Sequence, residues 1–140
     1  MREILFRGKS RNNGKWYQGD LVTVAHKRFI DDDIVKEIVI PETVGQFTGL
    51  TDRNGNKIFE GDVVATKYKL GRGGYYVFEV YYNENLCQFA LTINSGSYTK
   101  NKQYDWLQLT ELKANKIEVI GNIHDNPELL RTPLNDEVRE

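Results

Sequence analysis

Short apolar stretches alternate with polar turns along the chain, and within the stretches the repeat is the two-residue period of strands. Glu3 to Arg7 and Lys15 to Val24 read as the first two strands, joined by an Asn12-Asn13-Gly14 turn, and Ile34 to Ile40 reads as another, stopped by Pro41. Val63 to Lys69 and Tyr75 to Tyr82 flank the Gly-rich tip Leu70 to Gly74, and Gln88 to Ile93 adds a further strand. Lys116 to His124 alternates cleanly enough for a half-buried strand, with Ile117, Val119, Gly121 and Ile123 on one side. Residues 104 to 114 fit both periods and are read as irregular, with at most one or two helical turns. Asp125 to Leu130 has a capping side chain, a first-turn Pro127 and Glu128 at the positive end, so it predicts a short helix, which Pro133 must end. Turns without helical crossovers predict an all-β fold, an antiparallel barrel or sandwich of about 7–9 strands with a short C-terminal helix, as a single domain over residues 1–140.

The most informative stretch is Thr48 to Val64. Asp52 to Asn56 is a hairpin turn, because Asn-Gly accepts positive φ and Asp and Asn side chains satisfy nearby backbone donors. Lys57-Ile58-Phe59 sends two apolar residues inside, and Glu60-Gly61-Asp62 bends the chain again, with Asp placed to cap exposed backbone. Asn13-Gly14-Lys15-Trp16-Tyr17-Gln18-Gly19-Asp20-Leu21-Val22 echoes this grammar with one residue fewer, which predicts two equivalent hairpins near 13–22 and 54–64.

Tyr75 to Tyr82 is the most apolar strand. Tyr76, Phe78, Val80 and Tyr82 share one face, and Tyr75, Val77, Glu79 and Tyr81 the other, so both faces are expected to be covered, the second by another segment or a second subunit. Tyr75, Val77 and Tyr81 are therefore candidate interface residues.

Composition adds exclusions. With 39% hydrophobic and 28% charged residues the chain is an ordinary globular one, and 19 basic against 20 acidic residues give no overall charge to argue for nucleic acid or an anionic membrane. The charge is uneven, at +5 over residues 1–28 and −5 over residues 29–64, which suits self-association or a steered partner. No signal-peptide core and no bilayer-spanning apolar run is visible, so no membrane is expected. The one cysteine, Cys87, fits a reducing cytoplasm, and its neighbours Leu86, Gln88 and Phe89 predict a buried small hydrophobe.

Catalytic and ligand chemistry finds little support. A calcium loop starting at Asp52 would need Gly at its sixth and Glu at its twelfth position, where Lys57 and Val63 stand. Gly71-Arg72-Gly73-Gly74 lacks the Lys-Ser/Thr of a phosphate loop and joins strands. Asp31-Asp32-Asp33 reads as a solvated tip, and His26, His124 and Cys87 are too few for a zinc site. No cofactor is expected. His124 beside Asp125, with Asp20 and Asp62 from the two turns, is the most enzyme-like set, but it has neither nucleophile nor oxyanion donors. Lys67, Lys69 and Arg72 with Tyr68, Tyr75 and Tyr76 could serve single-stranded nucleic acid as phosphate contacts and stacking platforms, and form the alternative to a protein-contact role.

Arg7-Gly8-Lys9 with Gly14-Lys15-Trp16, then Gly45 to Leu50 running into Asp52 to Val64, then Ile117 to Leu130, together resemble the YopX protein family over essentially the whole chain, in the family's order. The resemblance implies a mainly β fold and a small protein encoded by a bacteriophage or prophage. It implies no activity and no catalytic residues. Gly61-Asp62-Val63-Val64 before a Gly-rich tip is also similar to the start of small SH3-like barrels of the KOW type, some of which bind RNA, over about twenty residues of common turn chemistry. These observations lead to an expectation of a non-enzymatic accessory protein of the host cytoplasm, acting as a homo-oligomer or on a host or phage protein.

Overall fold

A computed structural model describes residues 2–66, 76–92 and 106–131. Eleven strands are found among them, in two antiparallel sheets, so the mainly β expectation holds with more and shorter strands than the pattern suggests. The chain divides into two compact units, residues 1–49 and 50–140.

In the first unit, β1 (Phe6–Lys9), β2 (Trp16–Val24), β3 (Lys27–Asp31), β4 (Lys36–Ile38) and β5 (Gly45–Thr51, which runs on past residue 49) lie in the order β4-β3-β2-β1-β5. The ribbon curls until the residue after β4 meets the residue after β1 in one isolated bridge, Ser10 to Val39. That single bridge leaves the sheet short of a closed barrel. Ile30 and Val39 are buried inside the curl, and a Cβ on Gly8 would sit 2.9 Å from the Cβ of Val39, so the close approach requires glycine. Polar side chains fasten the ends. The Ser10 hydroxyl donates to Glu37 Oε2 at 2.7 Å and accepts the N–H groups of Asn12 and Asn13, and Thr43 Oγ1 accepts the Lys9 N–H at 2.9 Å. Arg7 stacks over the Trp16 ring, 4.9 Å from its centroid.

The β2–β3 turn is strained. Val24 and Lys27 pair directly, leaving Ala25 at φ 51 and His26 at φ 66 as its two central residues. A two-residue hairpin turn that follows the strand twist requires positive φ at both positions, where Asn-Gly is the favoured pair and residues with a Cβ are penalised. Replacing Ala25 by Asn together with His26 by Gly is expected to raise stability by about 1–2 kcal/mol, readable as a higher urea midpoint.

In the second unit, β6 (Lys57–Phe59) follows the Asp52 turn, and β7 (Asp62–Thr66), β8 (Val77–Asn83), β9 (Gln88–Thr92), β10 (Trp106–Gln108) and β11 (Ile117–Asn122) lie in the order β10-β9-β8-β7-β11. Residues 104–114, which the sequence leaves between two periods, supply β10 and one turn of helix, α1 (Glu111–Ala114), whose N-terminus the Thr110 hydroxyl caps by accepting the Lys113 N–H. The expected C-terminal helix is a 3-10 turn over Pro127–Arg131. The main core joins Ile58, Val64, Phe78, Val80, Leu91, Ala114 and Ile117. A smaller cluster of Val63, Val77 and Leu130, with Ile123 and Leu129 against it, covers the opposite face of β7 and β8.

Candidate functional site

The two stretches that carry the family resemblance in the second unit bind each other. β7 pairs with β11 from Asp62 opposite Asn122 to Thr66 opposite Ile117, with a bulge at Ile120 that breaks the simple alternation expected there. The Asp52 turn closes on its own backbone, with Asp52 N–H to Asn56 O at 2.8 Å, and then reaches β11. Asp52 Oδ1 accepts the N–H groups of Asn54 at 2.9 Å and Asn56 at 2.8 Å, while Oδ2 accepts the Val119 N–H at 2.9 Å. Arg53 N–H donates to Ile117 O at 3.0 Å. A carboxylate and one peptide N–H thus take the place of a neighbouring strand along the free edge of β11, which would otherwise present unpaired donors. Burial of Asp52, 3% exposed, works against its charge, but the N–H groups of Val119, Asn56 and Asn54 outweigh it and hold the carboxyl below the usual aspartate range.

A second turn follows. Gly61 N–H donates to Val80 O at 2.8 Å, and Ile123 N–H donates to Gly61 O at 2.9 Å. Buried Asp62 accepts the Phe59 N–H through Oδ2 at 2.7 Å. The Asn122 side-chain oxygen accepts the N–H groups of His124 at 3.0 Å and Asp125 at 2.9 Å, and Asn126 Oδ1 accepts the Asn122 N–H at 3.3 Å. A Cβ on Gly121 would lie 2.5 Å from that Asn126 oxygen, which accounts for the Gly-Asn pair. Sequence reasoning passed over Asn122 and Asn126, although two asparagines four apart around a turn are the signal for such bonding.

The candidate side chains are distributed as follows. His124 is half-buried in this turn and Asp125 is exposed beside it, its carboxylate accepting from the Asn122 amide at 3.3 Å. Asp62 serves Phe59, and Asp20 is exposed in β2 opposite Asp31. Asp31 and Asp32 shape their own turn: Asp31 Oδ1 accepts the Asp33 N–H, and Asp32 Oδ1 accepts those of Val35 at 2.8 Å and Ile34 at 3.0 Å, which lower the Asp32 carboxyl from its ordinary value. Among the described residues no three His, Cys, Asp or Glu side chains gather as metal ligands would. Cys87 departs from its expectation, since it is exposed at φ 53 in the β8–β9 turn, where the chain reversal sets its position.

Of the expected interface residues, Val77 is buried against Val63 and Leu130, so the segment covering that face of β8 belongs to the same unit. Tyr81 is half-buried, and burial followed by the nearby charge of Glu79 raises its hydroxyl, against a lowering bond from Asn83. Tyr75, and with it Lys67, Tyr68, Lys69 and Arg72, lies outside the described residues. Among the described residues the exposed aromatic is Tyr82, on the other face, where β8 and β9 continue beyond the core. Tyr82 is 40% exposed and meets Phe89 edge-on, with centroids 5.3 Å apart, and Leu86 at the tip is 47% exposed. Asn83 Oδ1 accepts the N–H groups of Asn85 and Leu86 and holds that tip. No helix among the described residues is long and apolar enough to cross a membrane.

A family model described as YopX protein matches residues 5–131. The crystal structure of protein EF1440 from Enterococcus faecalis is similar in fold, with a TM-score of 0.52 and 23% identity over 93% of this chain and 99% of that one. No curated protein matches at a significant level.

Proposed function

The chain belongs to the YopX protein family, and from that premise we propose that it works by protein–protein contact, as a non-enzymatic, self-associating accessory protein of a phage or prophage in the host cytoplasm. The observation that carries this reading is the end of the β8–β9 hairpin. There Tyr82 meets half-buried Phe89 beyond the core, and Leu86 is exposed on the adjoining turn, which Asn83 already holds. An aromatic anchor on a fixed backbone loses little entropy on docking, which is what contact hot spots require. In the signature turns Asp52, Asp62, Asn122 and Asn126 each accept backbone N–H groups, a use that serves the fold.

Light scattering with absorbance recorded for co-purified nucleic acid tests the reading. The expected result is a discrete multimer free of nucleic acid, whose mass falls when Tyr82 and Leu86 are both replaced by Ser. A monomer carrying nucleic acid that salt removes would replace this reading with single-strand binding through Lys67, Lys69, Arg72 and Tyr75.

A further inference from the structure

The β2–β3–β4 ribbon of the first unit has two unlike ends. At one, the turn between β3 and β4 carries Asp31, Asp32 and Asp33 beside Ile34, which is 89% exposed, and Val35, which is also exposed. This tip is held by Asp32, whose Oδ1 accepts from Ile34 and Val35 and whose own N–H donates to Val35 O at 3.1 Å. At the other end, roughly 16 Å away along a five-residue strand, the β2–β3 turn carries exposed Lys27 and Arg28 beside Val24, which is 51% exposed.

We propose that the acidic, aliphatic end of this ribbon in one copy docks on the basic end of the ribbon in a second copy. The inference rests on the self-association reading and adds a contact distinct from the Tyr82 surface. Complementarity argues for a second copy as the occupant. Three carboxylates, which outnumber the one Lys36 beside them, face two exposed cations, and Ile34 and Val35 meet Val24 and the aliphatic stems of Lys27 and Arg28. The two ends are opposite in net charge, so the contact joins two different patches and builds a ring or an open chain of copies. An isoleucine this exposed on a bonded turn adds nothing to its own unit's core, and it becomes buried only in such a contact.

The test is the mass of the full chain by light scattering across concentration, at low and high salt, for the wild type, Ile34→Ser and Lys27→Glu/Arg28→Glu. All three side chains are exposed, so the urea midpoints should match and show intact folds. The expected result is that each variant, and high salt, weakens the contact by about tenfold or more. A multimer that responds to the Tyr82/Leu86 replacement but to neither end variant nor salt overturns this inference and leaves self-association standing. A wild type that is monomeric at every concentration overturns both.

Discussion

Replacing Asp52 by Ala is expected to remove about 3 kcal/mol of stability, since three N–H groups lose a charged acceptor at once. Two of them, on Asn54 and Asn56, belong to an exposed turn and can turn to water. The third, on Val119, holds the turn to β11 from 67 residues away, and its loss also frees the β11 edge. Asp52→Asn should cost nearly as much, because an amide nitrogen placed toward Val119 sets donor against donor. Urea unfolding of wild type and both variants at neutral pH checks this. The pH dependence supplies a second readout. The folded-state pKa of Asp52 is depressed below 3.8, so its contribution is complete above that value and is lost as pH falls through the lower, folded-state value. The gap between wild type and Asp52→Asn should therefore narrow in acid. A gap that stays constant to the lowest pH at which both proteins fold would mean that the charge contributes nothing.

Gly19→Ala is expected to be comparably damaging, at about 3 kcal/mol or more, and for a different reason. A Cβ on Gly19 would lie 2.2 Å from the carbonyl oxygen of Asp31 and 2.7 Å from its carbonyl carbon. Both atoms are backbone, so no side-chain rotation relieves the clash, and β2 must separate from the end of β3 where Asp20 pairs with Asp31. Gly14→Ala is the control. Gly14 has φ +72 with open space around it, so its substitution should cost only about 1 kcal/mol of conformational strain. The contrast appears in urea unfolding and in faster amide exchange across β2 and β3 for Gly19→Ala alone. Equal effects of the two substitutions would sink the steric account.

These two glycines show where local pattern stops informing. Asn13-Gly14 and Asn54-Gly55 both lie in turns with glycine at positive φ, as their shared letters imply. The Gly-Asp pairs that follow do not match. Gly61 turns at φ +93, whereas Gly19 stays extended inside β2, kept small by a neighbouring strand's carbonyl. The same dipeptide answers a torsional need in one place and a steric need in the other, and only the partner strand distinguishes them. β3 and β5 escaped the hydrophobic pattern for a related reason. Lys27–Asp31 is mostly charged and Gly45–Thr51 holds two glycines, so their pairing comes from the strands beside them.

What the sequence determined by itself is local in origin: the two-residue period that makes the chain antiparallel β, the turns nucleated by Asn-Gly and Asx side chains, and the family resemblance carried by residues near 48–64 and 117–130. The tertiary structure is what sets which part of β8 stays exposed. Val77 and Tyr82 are equally apolar in the strand pattern. Leu129 and Leu130 return from some fifty residues downstream to cover the face of Val77, while the hairpin outruns the core at Tyr82. It also decided that Asp52 closes an edge strand, since its partner Val119 is far along the chain. Turn torsions depend on the residues within the turn, whereas burial and long-range hydrogen bonding depend on what the folded chain brings alongside.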